Sequence, residues 1–134
     1  MTTEDRYARH LALPGVGSAG QKKLAESNVL VIGAGGLGSP VLLYLAAAGV
    51  GRIGIVDDDI VSLSNLQRQV IHSSAHLGEK KVHSAKRRIN ELNDDVDVVV
   101  YDARFTPKNA LEILNQGWDV VVDGCDNLPT RYLV

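Results

Sequence analysis

The sequence predicts an α/β fold, a doubly wound, Rossmann-like and mostly parallel sheet. The prediction rests on three observations. Short β-branched apolar runs alternate four times with stretches of helical character. The runs are apolar throughout rather than at every second position, as strands covered on both faces are. A glycine-rich turn joins the first run to the helix that follows it. Alternation of this kind favours right-handed crossovers and a parallel sheet.

Residues 1–27 read as an N-terminal helical segment. One helix is expected from Glu4 to Leu13, ending at Pro14-Gly15, and a second from Gly20 to Glu26. Asn28 to Ile32 is the first strand and stops at Gly33. The Ala/Leu-rich stretch from Gly38 to Ala48 is a helix with Gly49 as its C-terminal stop. Arg52 to Val56 is the second strand, followed by Asp57, Asp58 and Asp59. Ile60 to Gly78 is polar and irregular. Glu79 to Asn93 has helical spacing, with Val82, Ala85, Ile89 and Leu92 on one face. Val96 to Tyr101 is the third strand and Asp119 to Asp123 the fourth. Between them lies a helix from Pro107 to Asn115, with proline in its first turn. Residues 127–134 read as the start of another helix, so residues 28–134 are expected to be the first part of a larger domain, incomplete on its C-terminal side.

Composition narrows the function classes. Lys and Arg number 14 against 16 Asp and Glu, which gives no electrostatic reason to expect a nucleic-acid or membrane partner. Aromatic content of 4% argues against a base-stacking platform. No apolar run approaches the roughly 18 residues of a membrane span, and the N-terminus lacks the apolar core of a signal peptide. Cys125 is the sole cysteine, so no internal disulfide forms and a cytoplasmic location is expected.

Gly33-Ala34-Gly35-Gly36-Leu37-Gly38 is a G-x-G-x-x-G turn between a strand and a helix. Glycine there permits a tight turn, approach of backbone to phosphate, and close helix–strand packing; the helix N-terminus then offers N–H groups to an anion. Asp57, at the end of the next strand, is placed to accept hydrogen bonds from ribose hydroxyls. The turn alone leaves three readings open: no ligand, a nicotinamide or flavin dinucleotide, or ATP.

Ser64-Asn65-Leu66-Gln67-Arg68-Gln69 follows the acidic turn, and Lys81 lies beyond it. Together with GAGGLGSP, AAAGVGRIGIVDDDIV, GEKK and DGCDN, these residues closely resemble the ThiF/MoeB/HesA family from Arg6 to Arg131. Members of that family are relatives of the ubiquitin-activating enzymes and adenylate sulfur-carrier proteins in thiamine and molybdenum-cofactor synthesis. The resemblance implies ATP and Mg²⁺ as cofactors, a ubiquitin-like sulfur-carrier protein as partner, and a homodimer at full length. It implies phosphate contacts from Arg68 and Lys81, and a hydrogen bond from Asn65 to phosphate or ribose. Gly36, within the loop that includes Gly33, Gly35 and Gly38, would bring backbone against the nucleotide, and Asp57 would hold the ribose. Asp126 matches the family acid that holds Mg²⁺, with Asn127 beside it. Arg9, in Arg6-Tyr7-Ala8-Arg9-His10, matches a family segment that reaches the ATP site of the partner subunit, although His10 replaces the usual glutamine. The family's zinc-binding cysteine pairs are absent from this sequence, so zinc is not expected.

The inferred reaction accounts for these residue types. A carboxylate attacks the α-phosphate of ATP and expels pyrophosphate; both reactants are anions, so the site must supply positive charge and hold them in line. Plainer readings stand beside these. Arg68 and Lys81 taken singly are solvated charges, Arg9 an exposed helix arginine, and Asp126-Asn127 a helix cap. His10, His72, His76 and His83 form no metal set and read as incidental. Cys125 reads as a small buried filler rather than a nucleophile. The competing functions are a non-catalytic nucleotide-binding fragment and an NAD-dependent oxidoreductase. Arg68, Lys81 and Asp126 together count against the latter.

Overall fold

The computed structural model describes residues 3–125. The elements run α1 (Thr3–Arg6), α2 (Ala8–Leu11), α3 (Gly17–Ala25), β1 (Asn28–Ile32), α4 (Gly38–Ala48), β2 (Arg52–Asp57), α5 (Lys81–Leu92), β3 (Asp97–Asp102), α6 (Ala110–Leu114) and β4 (Val120–Asp123). Short 3₁₀ turns at Leu63–Asn65 and Ser74–His76 interrupt the segment between β2 and α5.

All strand pairs are parallel, in the order β3-β2-β1-β4. The register sets Ile32 beside Val56 on one side and Asp123 on the other. From β1 the chain winds outward through β2 and β3, then crosses back to place β4 on β1's free side. The strand order therefore reverses between β1 and β4, and a crevice opens at their carboxyl ends.

Successive β1 side chains face opposite layers. Val29 and Val31 pack with Leu42, Ile53, Ile55 and Ile89 beneath α4 and α5. Leu30 and Ile32 pack with Val56, Phe105 and Ile113 on the α6 side. Both layers are buried and apolar, which is why β1 reads as a continuous apolar run. Among the described residues no helix is long and apolar enough to cross a membrane.

Several expected elements are corrected. The helix expected from Glu4 to Leu13 is broken at Tyr7, whose backbone leaves helical geometry (φ −108°, ψ 20°). The Tyr7 ring is buried, and its hydroxyl accepts a 2.7 Å hydrogen bond from Asn93 Nδ2, far along the chain. The second helix begins at Gly17, with φ +58°, rather than at Gly20. The helix expected from Glu79 begins at Lys81, because Lys80 is extended and bridges Ile60 in antiparallel fashion. The helix expected from Pro107 begins at Ala110, after a turn in which Asn109 Oδ1 accepts the Thr106 N–H at 2.9 Å. Strand ends differ by one residue: β2 extends to Asp57, β3 runs Asp97–Asp102, and β4 starts at Val120.

Candidate active site

A cavity of about 500 Å³ lies over the carboxyl ends of the sheet. The glycine loop after β1, the acidic turn after β2, the segment after β3 and the end of β4 all contribute to its wall.

The loop's glycines divide into two pairs. At Gly33, φ is +103° and a Cβ would lie 2.6 Å from the Gly124 carbonyl oxygen. At Gly38 a Cβ would overlap the Gly33 carbonyl oxygen. A Cβ at Gly35 would lie 3.4 Å from Gln69 Nε2, and one at Gly36 would lie 3.7 Å from Arg68 Cδ. The outer pair is required for the turn to close, whereas the inner pair lines the cavity and leaves it open. The Gly35 and Gly36 N–H groups have no acceptor among the described residues, which suits them to an anion.

Asp57 clips the acidic turn onto this loop. Its Oδ2 accepts the Ala34 N–H at 2.9 Å and its Oδ1 accepts the Asp59 N–H at 2.8 Å. Asp59 in turn accepts the Ile60 N–H at 2.8 Å and faces Lys81 Nζ at 3.3 Å. The Ile60 N–H foremost, with help from the ammonium, holds the Asp59 carboxyl below the usual carboxylate range. Lys81 is 5% exposed and opens α5, so its ammonium reaches the cavity wall from a packed base. Arg68 lies against Gly36, with its guanidinium donating to the Ser64 carbonyl at 3.3 Å.

The profile of the ThiF family matches residues 7–134. The chain belongs to the ThiF family. It is 56% identical over 129 residues to the maize (Zea mays) adenylyltransferase and sulfurtransferase MOCS3-1, a match covering 96% of this chain and 27% of that protein. It is 54% identical to a sulfur carrier protein adenylyltransferase of Thermus thermophilus, covering 97% of this chain and 48% of the relative. A probable molybdopterin-synthase adenylyltransferase of Porphyra purpurea is 46% identical, with 96% and 34% covered. Among solved structures, the E. coli tRNA N6-threonylcarbamoyladenosine dehydratase TcdA in complex with ATP superposes with a TM-score of 0.91 at 29% identity. That match covers 98% of this chain and 54% of TcdA. The chain thus spans between 27% and 48% of the length of these curated relatives.

In this ThiF-family domain, six residues singled out from the sequence line one cavity: Gly33, Gly35, Gly36, Asp57, Arg68 and Lys81. Gly38 stands behind them, packed on the Gly33 carbonyl. Asn65 does not line the cavity; its Oδ1 accepts the Ser62 hydroxyl at 2.6 Å, closing the turn before Arg68. Arg9 is exposed on α2 and does not line it either. Asp126 and Asn127 lie outside the described residues. Cys125 is buried against the cavity wall, its thiol donating to Asp123 Oδ1 at 2.7 Å, in keeping with a packing residue.

Three groups of residues in the ThiF-family site were not assigned from the sequence. Arg104 lines the cavity from the segment after β3, with its Nε 3.7 Å from Asp58. Its position just past a strand was the available signal. Gln69 is 5% exposed, and its Oε1 has no partner among the described residues. It closes the SNLQRQ motif but received no role there. His72 and His76 are buried and hydrogen-bonded rather than incidental, through contacts distant in sequence that local spacing does not signal.

Proposed function

We propose that this ThiF-family domain binds ATP in the cavity and serves adenylation of the C-terminal carboxylate of a ubiquitin-like sulfur-carrier protein. One observation carries the reading. Arg68, Lys81 and Arg104 meet the Gly35 and Gly36 N–H groups, which have no acceptor among the described residues, around one cavity at the strand switch point. Asp57, Asp58 and Asp59 share that wall, with Lys81 facing Asp59 and Arg104 facing Asp58. Arg68 and the two glycine N–H groups are therefore the donors most open to a triphosphate and to the charge that crowds at its α-phosphorus during attack. The inner glycines leave the room a phosphate needs, and Asp57 stands at the β2 end where a ribose would lie. A nicotinamide dinucleotide calls for the glycine turn and Asp57 but not for these cations.

In the proposed reaction a carboxylate oxygen of the carrier bonds to the α-phosphorus and the bond to the β-phosphate oxygen breaks. Pyrophosphate leaves and an acyl-adenylate remains. Arg68 and Lys81 would balance phosphate charge. Asp126 follows Cys125, which lines the cavity, and its hard carboxylate oxygens suit Mg²⁺. When bound, Mg²⁺ would neutralise charge on the phosphates. Arg9, exposed and absent from its own subunit's cavity wall, would serve the partner's site in a full-length homodimer. The name of the Porphyra relative favours a carrier of the molybdopterin pathway over the thiamine type. The net charge of −2 gives no pull toward nucleic acid or an anionic membrane, and a cytoplasmic setting suits this chemistry.

The test is ATP–pyrophosphate exchange by the full-length protein with a molybdopterin-type sulfur carrier. Exchange should require the carrier's intact C-terminus. An absence of exchange with every sulfur carrier tried would refute the proposal.

A further inference from the structure

Behind the inner glycines, on the side away from the cavity, lies a buried polar chain. His72 Nε2 is 2.8 Å from the Ala34 carbonyl oxygen, and His72 Nδ1 is 2.7 Å from Ser84 Oγ. The same Ser84 oxygen is 2.7 Å from His76 Nδ1. His72 and His76 are 6% and 5% exposed, Ser84 is fully buried, and none of the three lines the cavity.

The direction of each bond follows from what its atoms can do. A carbonyl oxygen only accepts, so His72 Nε2 carries the proton. The ring is neutral at pH 7, because burial foremost, with the Lys81 charge and His76 adding to it, outweighs the bond to the Ala34 carbonyl and the Asp57 charge and pushes its pKa down. Its Nδ1 therefore holds a lone pair and accepts the Ser84 hydroxyl. The Ser84 oxygen is then left to accept the N–H of His76 Nδ1. The chain reads His76 to Ser84 to His72, and separately His72 to Ala34.

Ala34 is thereby held from both ends, its N–H by Asp57 Oδ2 at 2.9 Å and its carbonyl by His72. A trans peptide places its C=O and the following N–H on opposite sides of one plane. Fixing the Ala34 carbonyl toward His72 turns the Gly35 N–H the other way. Gly35 lines the cavity, and that N–H has no acceptor among the described residues.

We infer that His72 is a positioning residue: through the Ala34 carbonyl it sets the Ala34–Gly35 peptide so that the Gly35 N–H faces an anion in the cavity. Its consequence for ATP rests on the function proposed above; the orientation of the peptide does not. A donor aimed in advance needs no reorganisation when the anion arrives, which is where such a bond gains its value.

Two substitutions separate this role from packing. In His72→Gln the amide nitrogen falls where Nε2 was and keeps the bond to Ala34. In His72→Asn the amide reaches Ser84 but not Ala34. The experiment is made on the full-length protein, with ¹⁵N NMR of the histidine ring and the Gly35 amide, and with calorimetric titration of MgATP. Wild type should show the Nε2–H neutral tautomer at pH 7. His72→Asn should shift the Gly35 amide resonance and weaken MgATP about tenfold, while His72→Gln stays within about twofold, for similar losses of melting temperature. An Nδ1–H tautomer, an unmoved Gly35 amide in His72→Asn, or equal weakening in both variants would overturn the inference. Should wild type take up no MgATP while the tautomer and the Gly35 shift are as expected, the positioning role stands and the ATP proposal fails.

Discussion

Gly33 and Gly38 differ from Gly35 and Gly36 in what a side chain would meet. At the outer pair it would run into backbone: the Gly124 carbonyl at 2.6 Å, and the Gly33 carbonyl at closer than contact. At the inner pair it would meet the ends of Gln69 and Arg68 at ordinary distances. One pair is dictated by folding, and the other is compatible with a side chain as far as the protein itself is concerned. The second pair is therefore the one whose identity speaks of a ligand. A G-x-G-x-x-G pattern merges these two demands, which is why it cannot by itself distinguish ATP from a dinucleotide.

The comparison breaks most visibly at Gly38. Gly38→Ala places a methyl on a carbonyl oxygen that no rotamer can relieve, and should cost about 3 kcal/mol or more of stability. A chemical-denaturation midpoint close to wild type would show that the turn can yield and that the outer pair is not structural. Gly36→Ala should change stability by no more than about 0.5 kcal/mol, yet weaken MgATP binding about tenfold, or roughly 1.4 kcal/mol. Unchanged binding in calorimetry would remove the ligand argument for the inner pair.

The smallest effect concerns the support behind the inner pair. Because burial lowers the pKa of His72, the unfolded chain takes up a proton there at a higher pH than the folded one does. The stability this residue contributes is complete above the ordinary histidine value near 6.5. It is lost as pH falls from there toward the lowered folded value. Denaturation midpoints should decline as pH falls below about 6.5, and less so in His72→Gln. Parallel declines in both proteins would show that His72 is not held neutral by its surroundings.

Legibility in the sequence follows the same division between local and distant causes. β1 and β2 were readable because both faces of the sheet are covered, leaving no polar position to interrupt Asn28–Ile32 or Arg52–Asp57. Gly33 and Gly38 were readable because a strand-to-helix turn imposes them locally. The break at Tyr7 was not, since it depends on Asn93, and no helical period encodes that contact. The stretch from Ile60 to Gly78 read as irregular, yet long-range bonds order it: Val61 N–H donates to the Glu79 carbonyl at 2.8 Å and His72 reaches Ala34. Arg68 and Lys81 came from family resemblance rather than spacing, and they lie in the cavity wall. Asn65 came the same way, and its Oδ1 accepts from Ser62 in the turn before Arg68, outside the cavity wall. Arg104 was overlooked because a single arginine past a strand has no pattern around it.

The central claim is that this cavity is built for a triphosphate rather than for a dinucleotide. Calorimetric titration of the full-length protein with MgATP and, separately, with NAD⁺ tests it most directly. MgATP should bind at least about tenfold more tightly, a difference of roughly 1.4 kcal/mol, and Arg68→Ala should erase most of that preference while leaving the fold intact. Tighter binding of NAD⁺, or a preference for MgATP that survives the loss of Arg68 unchanged, would contradict it.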